Sequence, residues 1–120
     1  MSGGDISTPI VFRGLNGPAA SVAAQHSQCM ASLLANVPGM HVVSPYDAKD
    51  FKGLLKSSIR NDNPVMFLEN EKTYGISHEV GDEFFRDDFL IPIGKAEVLK
   101  KGNDVTIVAY SFTVHLALEA

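Results

Sequence analysis

Cysteine is almost missing from this chain: Cys29 stands alone among 120 residues. An internal disulfide is therefore excluded, which suits a reducing compartment or an indifferent one. Basic clusters are missing as well. Ten lysines and arginines face 14 acids, a formal net charge of -4, and the densest basic pair is Lys100-Lys101. That balance argues against nucleic acid as a main partner. No apolar run approaches the ~20 residues of a membrane helix. The opening MSGGDIS carries neither the basic flank nor the apolar stretch of a signal peptide. No G-x-G-x-x-G or Walker sequence follows any strand-like run, so a nucleotide-phosphate cradle has no support. His41, His78 and His115 lack zinc-ligand spacing with one another or with Cys29. These exclusions leave a soluble, intracellular domain of ordinary composition, 45% apolar and 20% charged.

What is present is a βαβ rhythm. After a small polar loop over Met1–Thr8, Pro9 to Arg13 reads as a strand, apolar on both faces as parallel central strands are. A glycine-bearing loop, Gly14 to Pro18, follows. A helical stripe through Val22, His26, Cys29/Met30 and Leu33 then ends around Asn36, with Pro38-Gly39 as the stop signal. His41–Val43 is a short strand. Ser44-Pro45-Tyr46-Asp47 predicts a helix start with Ser44 as cap and Pro45 at the first helical position. Ala48, Phe51, Leu54, Leu55, Ser58 and Ile59 share its apolar face. Asn61 to Pro64 is a turn by composition, and Val65–Leu68 another buried strand. Residues 72–90 show no period and read as an extended excursion. Val105–Tyr110 reads as a strong strand, and Val114–Ala120 begins a helix. Strands alternating with helices predict an α/β fold with a parallel sheet and flanking helices. The abrupt final helix suggests a truncated chain whose second α/β domain starts near residue 95.

Candidate chemistry sits where open α/β sheets place it, at the strand ends. His26 has two readings. One is a core histidine bonded to a carbonyl; the other is an acid/base or positioning group facing a cleft, a role that suits histidine. Cys29, three residues on, is either a buried free thiol or half of a Cys–His pair with no visible third group. Glu69 and Glu71 are either solvated strand-end acids or a carboxylate pair on one face. Asn61-Asp62-Asn63 lacks the acids and spacing of an EF-hand. A monovalent ion on the free carbonyls of that helix end is the alternative.

Three stretches in order, PIVFRGLNGPAASVAAQHSQ, VVSPYDAKDFKGLLKSSIRNDNPVMFLENEKTYG and DFLIPIGKAEV, resemble the beta subunits of pyruvate dehydrogenase. These are thiamine-diphosphate-dependent 2-oxoacid enzymes of transketolase-like fold. FLENE and DFLIPIGKA look more like the pyruvate enzymes than their branched-chain relatives. The resemblance implies that residues 1–94 are the later part of a pyrimidine-binding domain and 95–120 the start of the C-terminal domain. It implies work in an α2β2 heterotetramer, with magnesium held through the alpha subunit. The lipoyl-bearing dihydrolipoyl acetyltransferase would accept the acetyl group. It places the family's cofactor-activating glutamate upstream of Met1, so this chain alone should be inactive. By position, His26 matches a histidine facing the active-site channel, the one catalytic residue implied. Ile10, Ser58, Ile59, Asn61 and Asn63 match a potassium site made mostly of backbone carbonyls. Leu15 and Pro18 depart from the family's usual Pro and Ala, Ser21 from Gly, and Asn61 from Asp. A proline moved to position 18 and a lost glycine at 21 change the stiffness of the loop. The implied compartment is the bacterial cytoplasm first and the mitochondrial matrix second. The rivals are a stand-alone, non-catalytic α/β module that binds a partner or an ion, and the beta subunit of a branched-chain 2-oxoacid dehydrogenase.

Overall fold

Val65–Glu69 (β3) is the strand on which the sheet is built. The computed structural model describes residues 3–120; Met1 and Ser2 of the expected N-terminal loop lie outside them. β3 runs between Val11–Leu15 (β1) and His41–Val43 (β2), and all pairings are parallel, in the order β1-β3-β2. Val11 and His41 both pair with Val65, and Leu15 pairs with Glu69. A run of Val-Met-Phe-Leu suits a strand covered on both faces, and Val65 and Phe67 are fully buried. Ala48–Ile59 (α2) lays Phe51, Leu54 and Leu55 on the core of Val43, Val65 and Phe67.

The start of α2 differs from the sequence expectation. Asp47, in extended conformation, is the cap, and its Oδ1 accepts the Asp50 N–H at 2.8 Å. Ser44 instead donates through Oγ to the carbonyl of Leu68 at 3.0 Å, tying the end of β2 to β3. Ile59, expected on the apolar face, is exposed in the last turn of α2.

β1 is an edge strand two residues later than predicted, with Phe12 and Leu15 about half exposed. Among the described residues β3 is its sole neighbour, so its outer face lacks the cover a central strand has. The helix predicted from Val22 to Asn36 is two pieces, a 3-10 turn at Ala24–His26 and the short helix Ala31–Ala35 (α1). The break has a local cause. Ser21 and Ala23 hold left-handed backbone, with φ of 54° and 64°. Asn16 Oδ1 then captures the Met30 N–H at 2.6 Å.

The excursion after β3 folds back as a strap over α2. Ser57 Oγ donates to the Ile91 carbonyl at 2.6 Å. The Lys52 and Lys56 ammonium groups donate to the carbonyls of Phe84 and Asp87. Two 3-10 turns, Glu71–Thr73 and Asp82–Phe85, shape it. Residues 105–110 form no strand, although their β propensity is high. Val105, Ile107 and Val108 are exposed, because no described segment offers them a ladder. The final helix forms as Thr113–Glu119 (α3).

Candidate functional site

Beyond the paired ends of β1 and β3, two asparagines set the geometry. The N–H of Asn16 donates to the Glu69 carbonyl at 2.7 Å, and Asn70 Nδ2 donates to the Asn16 carbonyl at 3.1 Å. Both asparagines are buried, so their bonds replace the water they lose. Gly17 fits beside them because it holds φ +86° and a Cβ there would meet Asn70 Nδ2 at 3.1 Å. Asn70 also caps the turn at Glu71–Thr73, accepting the Lys72 N–H at 3.0 Å.

From this clasp the segments that follow β1 and β3 diverge and leave a hollow of about 430 Å³. Leu15, Val22 and Met30 give it apolar wall, and His26, Gln28 and Glu71 give it polar groups. His26 ends the 3-10 turn and is exposed. That removes the core-histidine reading: the imidazole lines an open hollow at the C-terminal ends of the strands.

Cys29 is exposed rather than buried. Asn16 Nδ2 donates to its Sγ at 3.3 Å, and the Tyr110 hydroxyl lies 3.9 Å away. The Asn16 bond is the main reason the thiol's pKa lies below its ordinary value. Among the described residues no hydrogen bond joins Cys29 to His26, so the Cys–His pair suggested by spacing does not form.

Glu69 and Glu71 part company. Glu71 stays exposed beside His26. Glu69, expected as a solvated acid, is buried. Its Oε1 accepts from Arg13 Nε at 2.6 Å and its Oε2 from the Tyr74 hydroxyl at 2.7 Å. Burial, then the bond to Glu69, pushes the Tyr74 phenol up to about 12. This triad borders a second hollow of about 570 Å³, together with Phe51, Lys52 and His78. Its members lie 56 and 5 residues apart, so only the register of β1 on β3 could have announced it.

At the opposite end of the sheet lie Ile10, Ser58, Ile59, Asn61 and Asn63. The Ile10 carbonyl accepts the Val65 N–H at 2.8 Å, and the Ser58 carbonyl accepts the Asn61 N–H at 3.2 Å. Asn61 Oδ1 accepts the Asn63 N–H at 2.8 Å. The Thr8 N–H reaches the Asp62 carbonyl at 2.9 Å and draws the entry to β1 against this turn. The Ile10 and Asp62 carbonyls each keep a second lone pair, whereas Asn61 Oδ1 also accepts from Asn63 Nδ2 at 3.2 Å and is fully used.

A family model described as the transketolase pyrimidine-binding domain matches residues 1–76. Over all 120 residues the chain is 59% identical to "Pyruvate dehydrogenase E1 component subunit beta, mitochondrial" of Caenorhabditis elegans. It is 57% identical to the protein of the same name from Bos taurus and 51% identical to that from Dictyostelium discoideum. It spans about a third of the length of these curated relatives, 34%, 33% and 34%. They are eukaryotic and named mitochondrial, which overturns the bacterial cytoplasm as the first choice of compartment. A parallel α/β sheet with its hollow at the strand ends, and a family match over residues 1–76, agree: the chain belongs to the transketolase pyrimidine-binding domain family.

Proposed function

We propose that these residues are part of the beta subunit of a thiamine-diphosphate-dependent pyruvate dehydrogenase of the mitochondrial matrix. With an alpha subunit, as α2β2, the assembly converts pyruvate to an acetyl group on lipoamide and releases CO2. The lipoyl-bearing dihydrolipoyl acetyltransferase is the acceptor. The observation that carries this reading is identity of more than half the residues over the full 120 to proteins of that name. Residues 1–94 serve as pyrimidine-domain chain and 95–120 as the start of the next domain. Ile93 still packs on the first core and the Ile91 carbonyl is tied to α2 through Ser57, whereas 105–110 finds no ladder among the described residues, which supports that boundary.

The His26 hollow suits one side of a thiamine site. It joins apolar wall to an imidazole, the two amides of Gln25 and Gln28 and a carboxylate, and among the described residues no Lys or Arg borders it. That chemistry fits the ring portion of the cofactor, while the diphosphate and its magnesium fall to the alpha subunit. Thiamine diphosphate, when bound, supplies the electron sink that decarboxylation requires. With the cofactor ring against them, Leu15, Val22 and Met30 would exclude water from this wall. His26 orients the incoming lipoyl group and holds or delivers a proton at an imidazole nitrogen. Ile10, Ser58, Ile59, Asn61 and Asn63 present neutral oxygens, a donor set for a weakly charged cation such as potassium.

His26→Ala in the assembled enzyme tests the role. Acetyl transfer to lipoamide should fall by roughly 10²- to 10⁴-fold, while pyruvate decarboxylation read with an artificial electron acceptor falls far less. Unchanged transfer would leave His26 a wall residue and nothing more.

A further inference from the structure

Nε2 of His78 is a buried polar side-chain atom that the fold leaves without a hydrogen-bond partner. A buried nitrogen left unmet is costly to the fold, so the surroundings of this one bear on function. A second imidazole lies beside it. The rings of His78 and His115 are 5.4 Å apart between centroids, with their planes 34° from parallel. Tyr46 packs against both, at 6.0 Å and 5.2 Å. The two histidines come from the strap and from α3, 37 positions apart in the chain, and spacing alone gave no reason to join them.

His115 is already oriented. Its Nε2 lies 3.1 Å from the Tyr46 carbonyl, and a carbonyl only accepts, so Nε2 carries the hydrogen. The other nitrogen, Nδ1, then holds a free lone pair. A metal-ligating histidine typically has this arrangement, with its second ring N–H given to a backbone carbonyl. Two imidazoles that share one metal ion at a metal–nitrogen distance of about 2.0–2.1 Å in tetrahedral array have ring centroids about 5 Å apart. The centroid separation of 5.4 Å found here is compatible with that spacing.

We propose that His78 and His115 form a two-imidazole site for a divalent transition-metal ion of the zinc, copper and nickel class, with water completing the coordination. Imidazole nitrogen suits these ions and not magnesium or calcium. Among the described residues no group of three His, Cys, Asp or Glu side chains gathers for a metal. The protein therefore supplies two ligands, and the site is accessory rather than a closed structural zinc centre. The chain's charge of -4 favours a cation, and Asp47 borders the same hollow as His78. Occupancy would fasten α3 to the strap. This rests on ring geometry and the unmet nitrogen, independently of the thiamine reading.

The test uses the full-length chain in its native assembly, stripped with a chelator and titrated with Zn2+ by calorimetry. His78→Phe and His115→Phe are measured alongside. Wild type should take up one Zn2+ per chain and gain thermal stability with it. Each variant should bind at least about tenfold more weakly, and the melt of His78→Phe should not respond to Zn2+. Phenylalanine keeps the ring that packs on Tyr46 and removes the unmet nitrogen, so His78→Phe should fold at least as stably without metal. Failure of wild type to take up Zn2+ would overturn the proposal. So would uptake that His78→Phe leaves unchanged, because the ion would then sit elsewhere.

Discussion

Gly53 is the sharpest test of how the strap is held. It lies in the middle of α2, where glycine costs about 1 kcal/mol relative to alanine; propensity alone makes Gly53→Ala a stabilising change. The structure predicts the reverse. A Cβ at Gly53 would stand 2.6 Å from Ile91 Cγ1, 2.9 Å from Ile91 Cδ1 and 3.0 Å from Phe89 Cε1. Comfortable carbon contacts are about 3.5–4.0 Å, so the overlap is close to an ångström. The strap has little room to yield, since Ser57 holds the Ile91 carbonyl and Lys56 the Asp87 carbonyl. Overpacking of this kind costs about 1–3 kcal/mol. Set against the propensity gain, Gly53→Ala should lose about 1 kcal/mol. Ile91→Ala removes two of the three close atoms. In that background Gly53→Ala should stabilise, by up to about 1 kcal/mol. Urea denaturation of wild type, both single variants and the double variant closes the cycle. The interaction between the two changes should be about 1–3 kcal/mol and favourable. Additivity within about 0.5 kcal/mol would refute the packing argument, because the strap would then be free to lift away.

Tyr74→Phe should destabilise by about 1–3 kcal/mol, since it strips one donor from buried Glu69; a loss near zero on denaturation would mean water replaces the phenol. Burial, with the charges of Asp47 and Glu97, raises the Asp50 carboxyl from 3.8 to about 6 against the opposing bond from the Tyr46 N–H. The folded state thus binds that proton more tightly than the unfolded state does. Asp50's share of stability should rise as pH falls from about 6 toward 3.8 and be absent above about 6. Asp50→Asn should therefore flatten the pH dependence of urea unfolding between pH 4 and 7, and an unaltered profile would contradict it. Potassium should raise the thermal midpoint more than sodium does if the carbonyls around Ser58 and Ile10 hold the ion, and equal shifts would remove that site.

Much of the sheet was legible because its signals are local. Val65-Met66-Phe67-Leu68 can satisfy so continuous an apolar run only as a central strand, and Asp-Asn-Pro turn chemistry marks its start. The 3.6-residue stripe of Phe51, Leu54 and Leu55 likewise fixed α2. Its first residue was less secure. Ser44 and Asp47 are both good caps, and Leu68 claimed the serine. The stripe from Val22 to Leu33 misled because periodicity does not register a side chain from elsewhere, and Asn16 cuts the helix at Met30. Residues 105–110 misled for a complementary reason: β propensity is a fit to neighbouring strands, and among the described residues none lies beside them.

By itself the sequence determined the α/β class, the parallel order of alternation, the absence of a disulfide and the motifs that tie the chain to thiamine enzymes. These depend on residue type and short-range spacing. Tertiary structure decided that Glu69 is buried between Arg13 and Tyr74, that Cys29 and His26 face solvent, and that His78 meets His115. Each depends on which strand lies beside which, in what register, and on how the strap returns over α2. A single chain read in order carries no record of those distances, because contacts between distant residues arise only when the core closes.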